Sequence, residues 1–82
     1  LAYSRPRAVL ITGLTNPQVV RTAQIADFRA IIFIRGKRPQ PETVEIALNE
    51  NIPLISSPLG MFELSGILHD AGLKSYEGND TN

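Results

Sequence analysis

The sequence predicts a small α/β domain in which helices cover a parallel sheet in two or three layers. Three short apolar runs alternate with three segments that carry helix-start signals. Such alternation favours parallel strands that are joined by right-handed crossovers. A chain of 82 residues is enough for one domain, which we assign to residues 1–72. The remaining residues, 73–82, are polar and predict a frayed tail.

The three apolar runs are bounded by turn residues and do not alternate with polar positions. They predict strands over residues 8–12, 30–34 and 52–56. Continuous runs of Val, Ile and Leu are typical of strands that are covered on both faces. Pro53 has no backbone N–H to donate, so it belongs at the beginning of the third strand.

Proline residues mark the beginnings of the three helices. The expected helices span residues 17–26, 41–50 and 58–71. Asn16 and Ser57 precede two of these prolines and would cap the first and the third helix. Asn51 would end the second helix in the left-handed conformation. Apolar spacing predicts that the buried faces of the first two helices contain Val19, Val20, Ala23 and Ala26, and Val44, Ala47 and Leu48.

Composition and charge exclude several classes of protein. The chain is 43% hydrophobic and 20% charged, which is ordinary for a globular domain. It has no cysteine, so it lacks disulfides and thiolate metal sites, and we expect a cytoplasmic protein. No apolar run approaches the ~20 residues of a membrane span. A net charge of zero argues against a general nucleic-acid binder.

The charges are distributed unevenly along the chain. Seven cations and one acid fall in residues 1–41, whereas one cation and seven acids fall in residues 42–82. Either the fold interleaves the two halves, or one end of the domain is basic. A basic end would suit a small anion or the acidic end of a second copy.

The loops that follow the three strands form the predicted binding site. In a parallel sheet these loops emerge at one edge, where ligands usually bind. Here they contain glycine, hydroxyl groups and cations, which suit phosphate or carboxylate. We therefore predict an anion site made of Thr12, Gly13, Thr15, Asn16, Arg35, Gly36, Lys37, Arg38, Ser56 and Ser57. The alternative is that these residues serve only the turns and helix caps.

The helix beginnings further restrict where an anion would lie. Glu42 already occupies the opening turn of the second helix, whereas the first and third predicted helices begin without an acid. An anion is therefore expected nearer Thr15 or Ser57. Neither GxGxxG nor GxxxxGK[ST] follows a predicted strand, so the two common nucleotide-binding motifs are absent.

Catalytic groups are not apparent in the sequence. His69 is the only histidine, and it lies far along the third helix from the Ser56-Ser57 pair. Neither a nucleophile paired with a base nor a metal-ligand cluster emerges at a useful spacing. We therefore predict a protein that is not an enzyme and that uses no cofactor.

The third helix carries more apolar side chains than one small sheet can cover. They spread around the helix at Leu59, Met61, Phe62, Leu64, Ile67 and Leu68. Burying the surplus against another copy would remove apolar surface from water. We therefore predict a homo-oligomer through the third helix, where Ser65 and Gly66 would allow close approach.

Four segments together resemble DRTGG-type domains and are similar to the N-terminal domain of HPr kinase/phosphorylase. They are AVLITGLTNP from Ala8, AIIFIRGKRP from Ala30, IPLISSP from Ile52 and FELSGIL from Phe62. The stretch from residue 41 to residue 53 resembles the family's helix-to-strand segment. The Asp-Arg-Thr-Gly-Gly string itself is absent, and no binding residue is carried over from the family.

The resemblance implies a regulatory domain of bacterial metabolism. Together with the cationic loops, it leads us to expect a sensor of a small anion, such as a nucleotide or phosphorylated metabolite. The alternative is an oligomerisation or protein-interaction module without a small-molecule ligand. Family members also carry a further N-terminal strand–helix segment, which we expect to be missing here or reduced to residues 1–7.

Overall fold

The computed structural model describes residues 8–72 and 74–77. The family's N-terminal segment is expected to be missing or reduced to residues 1–7, and these residues lie outside the described part of the chain. In chain order the elements are β1 (Ala8–Thr12), α1 (Gln18–Ala26), β2 (Ala30–Phe33), α2 (Pro41–Asn49), β3 (Leu54–Ser56), α3 (Met61–Asp70) and β4 (Lys74–Glu77). The four strands are parallel and lie in the order β3-β2-β1-β4. The predicted α/β class with a parallel sheet is confirmed.

Helices cover the sheet on both faces, so the domain has three layers. Side chains of β1 and β2 alternate between the two faces, as the pleat requires. On one face they pack against α1 and α2 in a core of Leu10, Val19, Val20, Ala23, Ile31, Phe33 and Ala47. On the other face they pack against α3 in a core of Val9, Ile11, Ala30, Ile32, Ile34 and Leu64.

β4 corrects the prediction of a frayed tail. It falls within residues 73–82 and pairs in parallel with β1, with Ala8 opposite Lys74 and Ile11 opposite Glu77. The polar composition of this segment does not prevent pairing, because the ladder uses backbone groups that every non-proline residue carries. The chain thus crosses the sheet through α3, from β3 at one edge to β4 at the other.

Two of the three helices begin where the prolines predict, to within one residue. α2 begins at Pro41, and α1 begins at Gln18, whose N–H donates to Asn16 Oδ1 over 3.0 Å. The prediction for the third helix is wrong, since α3 begins at Met61. Ser57 Oγ instead accepts from the Leu59 N–H over 3.1 Å and stabilises a turn. None of these three helices has the length and hydropathy of a membrane span.

α2 buries Ala47, as apolar spacing predicts, but it buries Thr43 in place of Val44 and Leu48. Thr43 and Ala47 are 0% and 1% exposed, while Val44 and Leu48 are 37% and 72% exposed. The sheet ends at β3 within the described residues. The outer side of α2 therefore extends past the sheet, and its apolar side chains remain in solvent. Ala26 of α1 is also exposed.

Candidate functional site

Hydrogen bonds join the three loops at the carboxyl ends of the strands. The carbonyl of Thr15 in the first loop accepts from Gln40 N over 3.0 Å and from Thr43 Oγ1 over 2.8 Å. Between the second and third loops, Ser56 Oγ donates to the carbonyl of Lys37 over 2.7 Å, and the Gly36 N–H donates to the carbonyl of Ser57 over 2.7 Å. The loops therefore form one connected edge, as their topology predicts.

A cleft of about 550 Å³ opens at this edge, between the beginning of α2 and the carboxyl end of β3. It is lined by Gly36, Arg38, Pro39, Val44, Ser56, Ser57 and Pro58. Small-molecule sites typically occupy 300–1,000 Å³, so the cleft has the volume for a small ligand. Four of its residues belong to the predicted site. Pro39, Val44 and Pro58 also line the cleft but are not among the residues predicted from the sequence.

The remaining predicted site residues lie outside this cleft. Thr12 is fully buried, and its Oγ1 accepts from the Leu14 N–H over 2.9 Å. Asn16 Oδ1 accepts from the Gln18 N–H at the beginning of α1, and the Thr15 carbonyl accepts from Gln40 and Thr43 at the beginning of α2. Thr12, Thr15 and Asn16 therefore stabilise the first loop, which Gly13 also occupies. Ser57 lines the cleft, but its Oγ also makes a local hydrogen bond, which stabilises the turn before α3.

The turn after β2 presents three cations to solvent. Arg35, Lys37 and Arg38 are exposed, and no ion pair joins any of them to a described residue. The turn is left-handed at two consecutive residues, with φ 54° at Arg35 and 69° at Gly36. Glycine adopts this conformation freely, whereas a side chain such as that of Arg35 is strained by about 1–2 kcal/mol. The turn is held by the Arg35 N–H, which donates to the carbonyl of Leu59 over 2.9 Å.

The position of α3 changes which helix beginnings are free of acid. Because α3 begins at Met61, Glu63 lies in its first turn, and the expectation of an acid-free third helix is wrong. Glu63 Oε1 lies 3.0 Å from the point that a Cβ on Gly60 would occupy, and Arg35 Nε lies 3.7 Å from the same point. The carboxylate of Glu63 therefore already stands at the positive end of α3. Only α1 begins without an acid among the described helices.

The order of the strands also defines a switch point between β1 and β4. α1, which follows β1, and α3, which precedes β4, cover opposite faces of the sheet. In open parallel sheets ligands often bind in the crevice at such a point. The first loop, with Gly13 and Thr15, stands beside it. The sequence-predicted site residues thus divide between the switch point and the cleft at β3.

The described residues bring no catalytic pair or metal cluster together. His69 lies at the far end of α3, with its side chain 89% exposed and its Nδ1 4.0 Å from Asp70 Oδ1. This end of the helix is roughly 12 Å from its first residue, at 1.5 Å per residue. In residues 8–72 and 74–77, no three His, Asp or Glu side chains could hold a metal ion.

The fold and the candidate site define a doubly wound parallel α/β domain with a basic loop at the edge where the strands have their carboxyl ends. Beyond this class, comparison with family models, curated proteins and solved structures finds no match to the chain. The resemblance to DRTGG-type domains therefore stays a prediction.

Proposed function

We propose that this domain is a non-catalytic regulatory module that senses a small anionic ligand in the cleft at the carboxyl end of β3. A nucleotide or a phosphorylated metabolite has the size and charge for this cleft. The observation that supports the proposal is a cleft of about 550 Å³ next to a turn with three cations. None of the three forms an ion pair with a described residue.

Arg38 is the cation that would contact the ligand, because it lines the cleft. Its guanidinium can donate two parallel hydrogen bonds to one phosphate. Arg35 and Lys37 lie beside it in the same turn and would add long-range attraction. Ser56 Oγ and Ser57 Oγ border the same space and retain lone pairs that can accept from a ligand hydroxyl.

A sensing role without catalysis is supported by the surroundings of the cleft. Both serine hydroxyls bind loop backbone groups, and neither has a described base beside it. His69 lies at the opposite end of α3. Binding would instead order the turn after β2 against the turn after β3, since both line the cleft. Such ordering is a direct way to transmit occupancy to a neighbouring module.

The proposal is tested by calorimetric titration with inorganic phosphate, pyrophosphate and a nucleoside monophosphate. At least one should bind, and Arg38→Ala should weaken that binding by tenfold or more, on the scale of a lost hydrogen bond to a charged group. Arg21→Ala is the matched control, because Arg21 is an exposed arginine on α1. Absence of heat with all three probes, or equal affinities of the two variants, would contradict the proposal.

An interaction module without a small ligand is the second candidate. It is favoured by Phe62 and Ile67 of α3, which are 88% and 53% exposed. The predicted homo-oligomer through α3 would bury them. This candidate predicts no phosphate binding, together with self-association that Phe62→Ser abolishes in light-scattering measurements.

A further inference from the structure

β3 presents an open edge of the sheet. Just before β3, the Pro53 carbonyl accepts from Ile31 N over 3.0 Å. Just after it, Ser57 N donates to the Phe33 carbonyl over 2.9 Å. Because bonding direction alternates along a strand, the backbone groups of Leu54 and Ser56 point away from β2. No strand in the described part of the chain pairs with them. The edge therefore offers two N–H and two carbonyl groups to another strand.

Apolar surface continues from this edge onto α2. Ile55 of β3 is 47% exposed, and Leu48 of α2 is 72% exposed. Next to Leu48, on the α2 side of the sheet, lies a groove of about 340 Å³, lined by Pro39, Val44, Ala47, Leu48, Ile52, Pro53 and Leu54. The side chain of Ile55 points to the opposite face, because its partner Ile32 packs on the α3 side. A strand edge flanked by apolar side chains is a surface that pairs with another chain.

The charges along this edge are arranged to fit an inverted copy of themselves. At the carboxyl end of β3 lies Lys37, whose carbonyl accepts from Ser56 Oγ. At the amino end lies Glu50, immediately after α2. Both side chains are exposed, and neither forms an ion pair with a described residue. Antiparallel pairing of two β3 strands would bring each Lys37 towards Glu50 of the partner subunit.

We propose that a second copy of this chain docks on the β3 edge, with the two β3 strands antiparallel across a two-fold axis. Ile55 then faces Ile55 of the partner subunit as a non-hydrogen-bonded pair, with Cα atoms about 4.5 Å apart. Leu54 lies opposite Ser56 of the partner subunit, and the two pairs exchange four backbone hydrogen bonds. The two sheets become continuous, and the α2 helices meet through Leu48. No anion is needed for this pairing.

The surface of α3 is the rival interface. Its exposed Phe62 and Ile67 offer apolar area. However, α3 has no unpaired backbone groups of a strand and no charge pattern that would favour a second copy over another partner. The β3 edge combines backbone groups, apolar area and complementary charge in one self-matching arrangement. These features are what an isologous interface requires.

Cysteine cross-linking tests the register directly, because the chain contains no cysteine. A Cα separation of about 4.5 Å lies within the range that a disulfide spans. Under mild oxidation in chloride buffer, Ile55→Cys should form a covalent dimer of twice 9.0 kDa. Ile25→Cys is the matched control, since Ile25 is 86% exposed on α1. The Ile55 variant should cross-link at least tenfold faster than the control.

A charge exchange tests the polarity of the pairing in the chain without cysteine. By sedimentation equilibrium, Glu50→Lys should weaken dimerisation roughly tenfold, and adding Lys37→Glu to the same chain should restore it. Cross-linking of Ile55→Cys no faster than Ile25→Cys would overturn the proposal. So would a monomer at high micromolar concentration, or cross-linking through Phe62→Cys in preference to Ile55→Cys. Because phosphate is absent from these measurements, their outcome is independent of the anion proposal.

Discussion

β2 and β3 are neighbouring strands with similar apolar sequences, yet the fold uses them differently. All four residues of β2, Ala30–Phe33, are buried. In β3 the burial falls from intermediate at Leu54 to exposed at Ile55 and Ser56. β2 has a paired strand on each side, whereas β3 has one only on the β2 side within the described residues. The difference shows that apolar composition identifies a strand, while the position of the strand in the sheet determines how far its side chains are buried.

The largest effect should come from removing the buried Phe33 side chain of β2, a strand that is paired on both sides. Phe33 is 0% exposed and packs in the core on the α1 and α2 side. Phe33→Ala should lower the free energy of unfolding by about 3–5 kcal/mol, because it removes a buried ring and leaves a cavity. Ile55→Ala at the edge should lower it by about 1 kcal/mol. Urea unfolding at low micromolar protein measures both, and equal losses would contradict the comparison.

An intermediate effect should separate two adjacent residues of α2. Thr43 is buried and donates to the Thr15 carbonyl, whereas Val44 borders the open cleft beside β3. Thr43→Val should lower the free energy of unfolding by about 1 kcal/mol, because it removes this hydrogen bond at nearly constant volume. Val44→Thr, the reverse exchange, should lower the free energy of unfolding by less than about 0.5 kcal/mol, because this side chain borders solvent. Thermal unfolding of the two variants side by side provides the measurement.

The smallest effect should have the opposite sign and occur in the turn between β2 and α2. Arg35→Gly relieves a left-handed residue, and we expect a gain of about 0.5–1 kcal/mol after the added flexibility of the unfolded chain is subtracted. Arg38→Gly should give no gain, because Arg38 is not left-handed. Chemical unfolding of both variants decides the matter. A destabilised Arg35→Gly variant would show that the Arg35 side chain makes stabilising contacts.

Local sequence signals predicted the central part of the fold well. The β-branched runs specified β1 and β2, and Pro41 specified the beginning of α2, because each signal acts through the backbone of its own segment. Asn51 is left-handed as expected, with φ 59°. The Ser57-Pro58 signal failed because a serine followed by a proline caps a turn as readily as a helix.

The candidate site was predicted in outline and corrected in detail. The sequence predicts one site of ten residues in the three loops, and the structure places four of them, Gly36, Arg38, Ser56 and Ser57, in one cleft. The sequence predicts a local hydrogen bond for Asn16, as a helix cap, but not the one in which Thr12 Oγ1 accepts from the Leu14 N–H. Such local hydrogen bonds depend on the turn conformation that the loop finally adopts.

By itself the sequence determined the alternation of strands and helices, the parallel class of the sheet and the basic turn at the carboxyl end of β2. These properties follow from hydrophobic patterning and from proline and glycine stereochemistry, which act over a few residues. Only the tertiary structure decided that residues 74–77 join β1 and that β3 lies at the edge of the sheet formed by the described strands. Both outcomes depend on long-range backbone pairing, which uses groups common to all residues and therefore leaves little trace in composition.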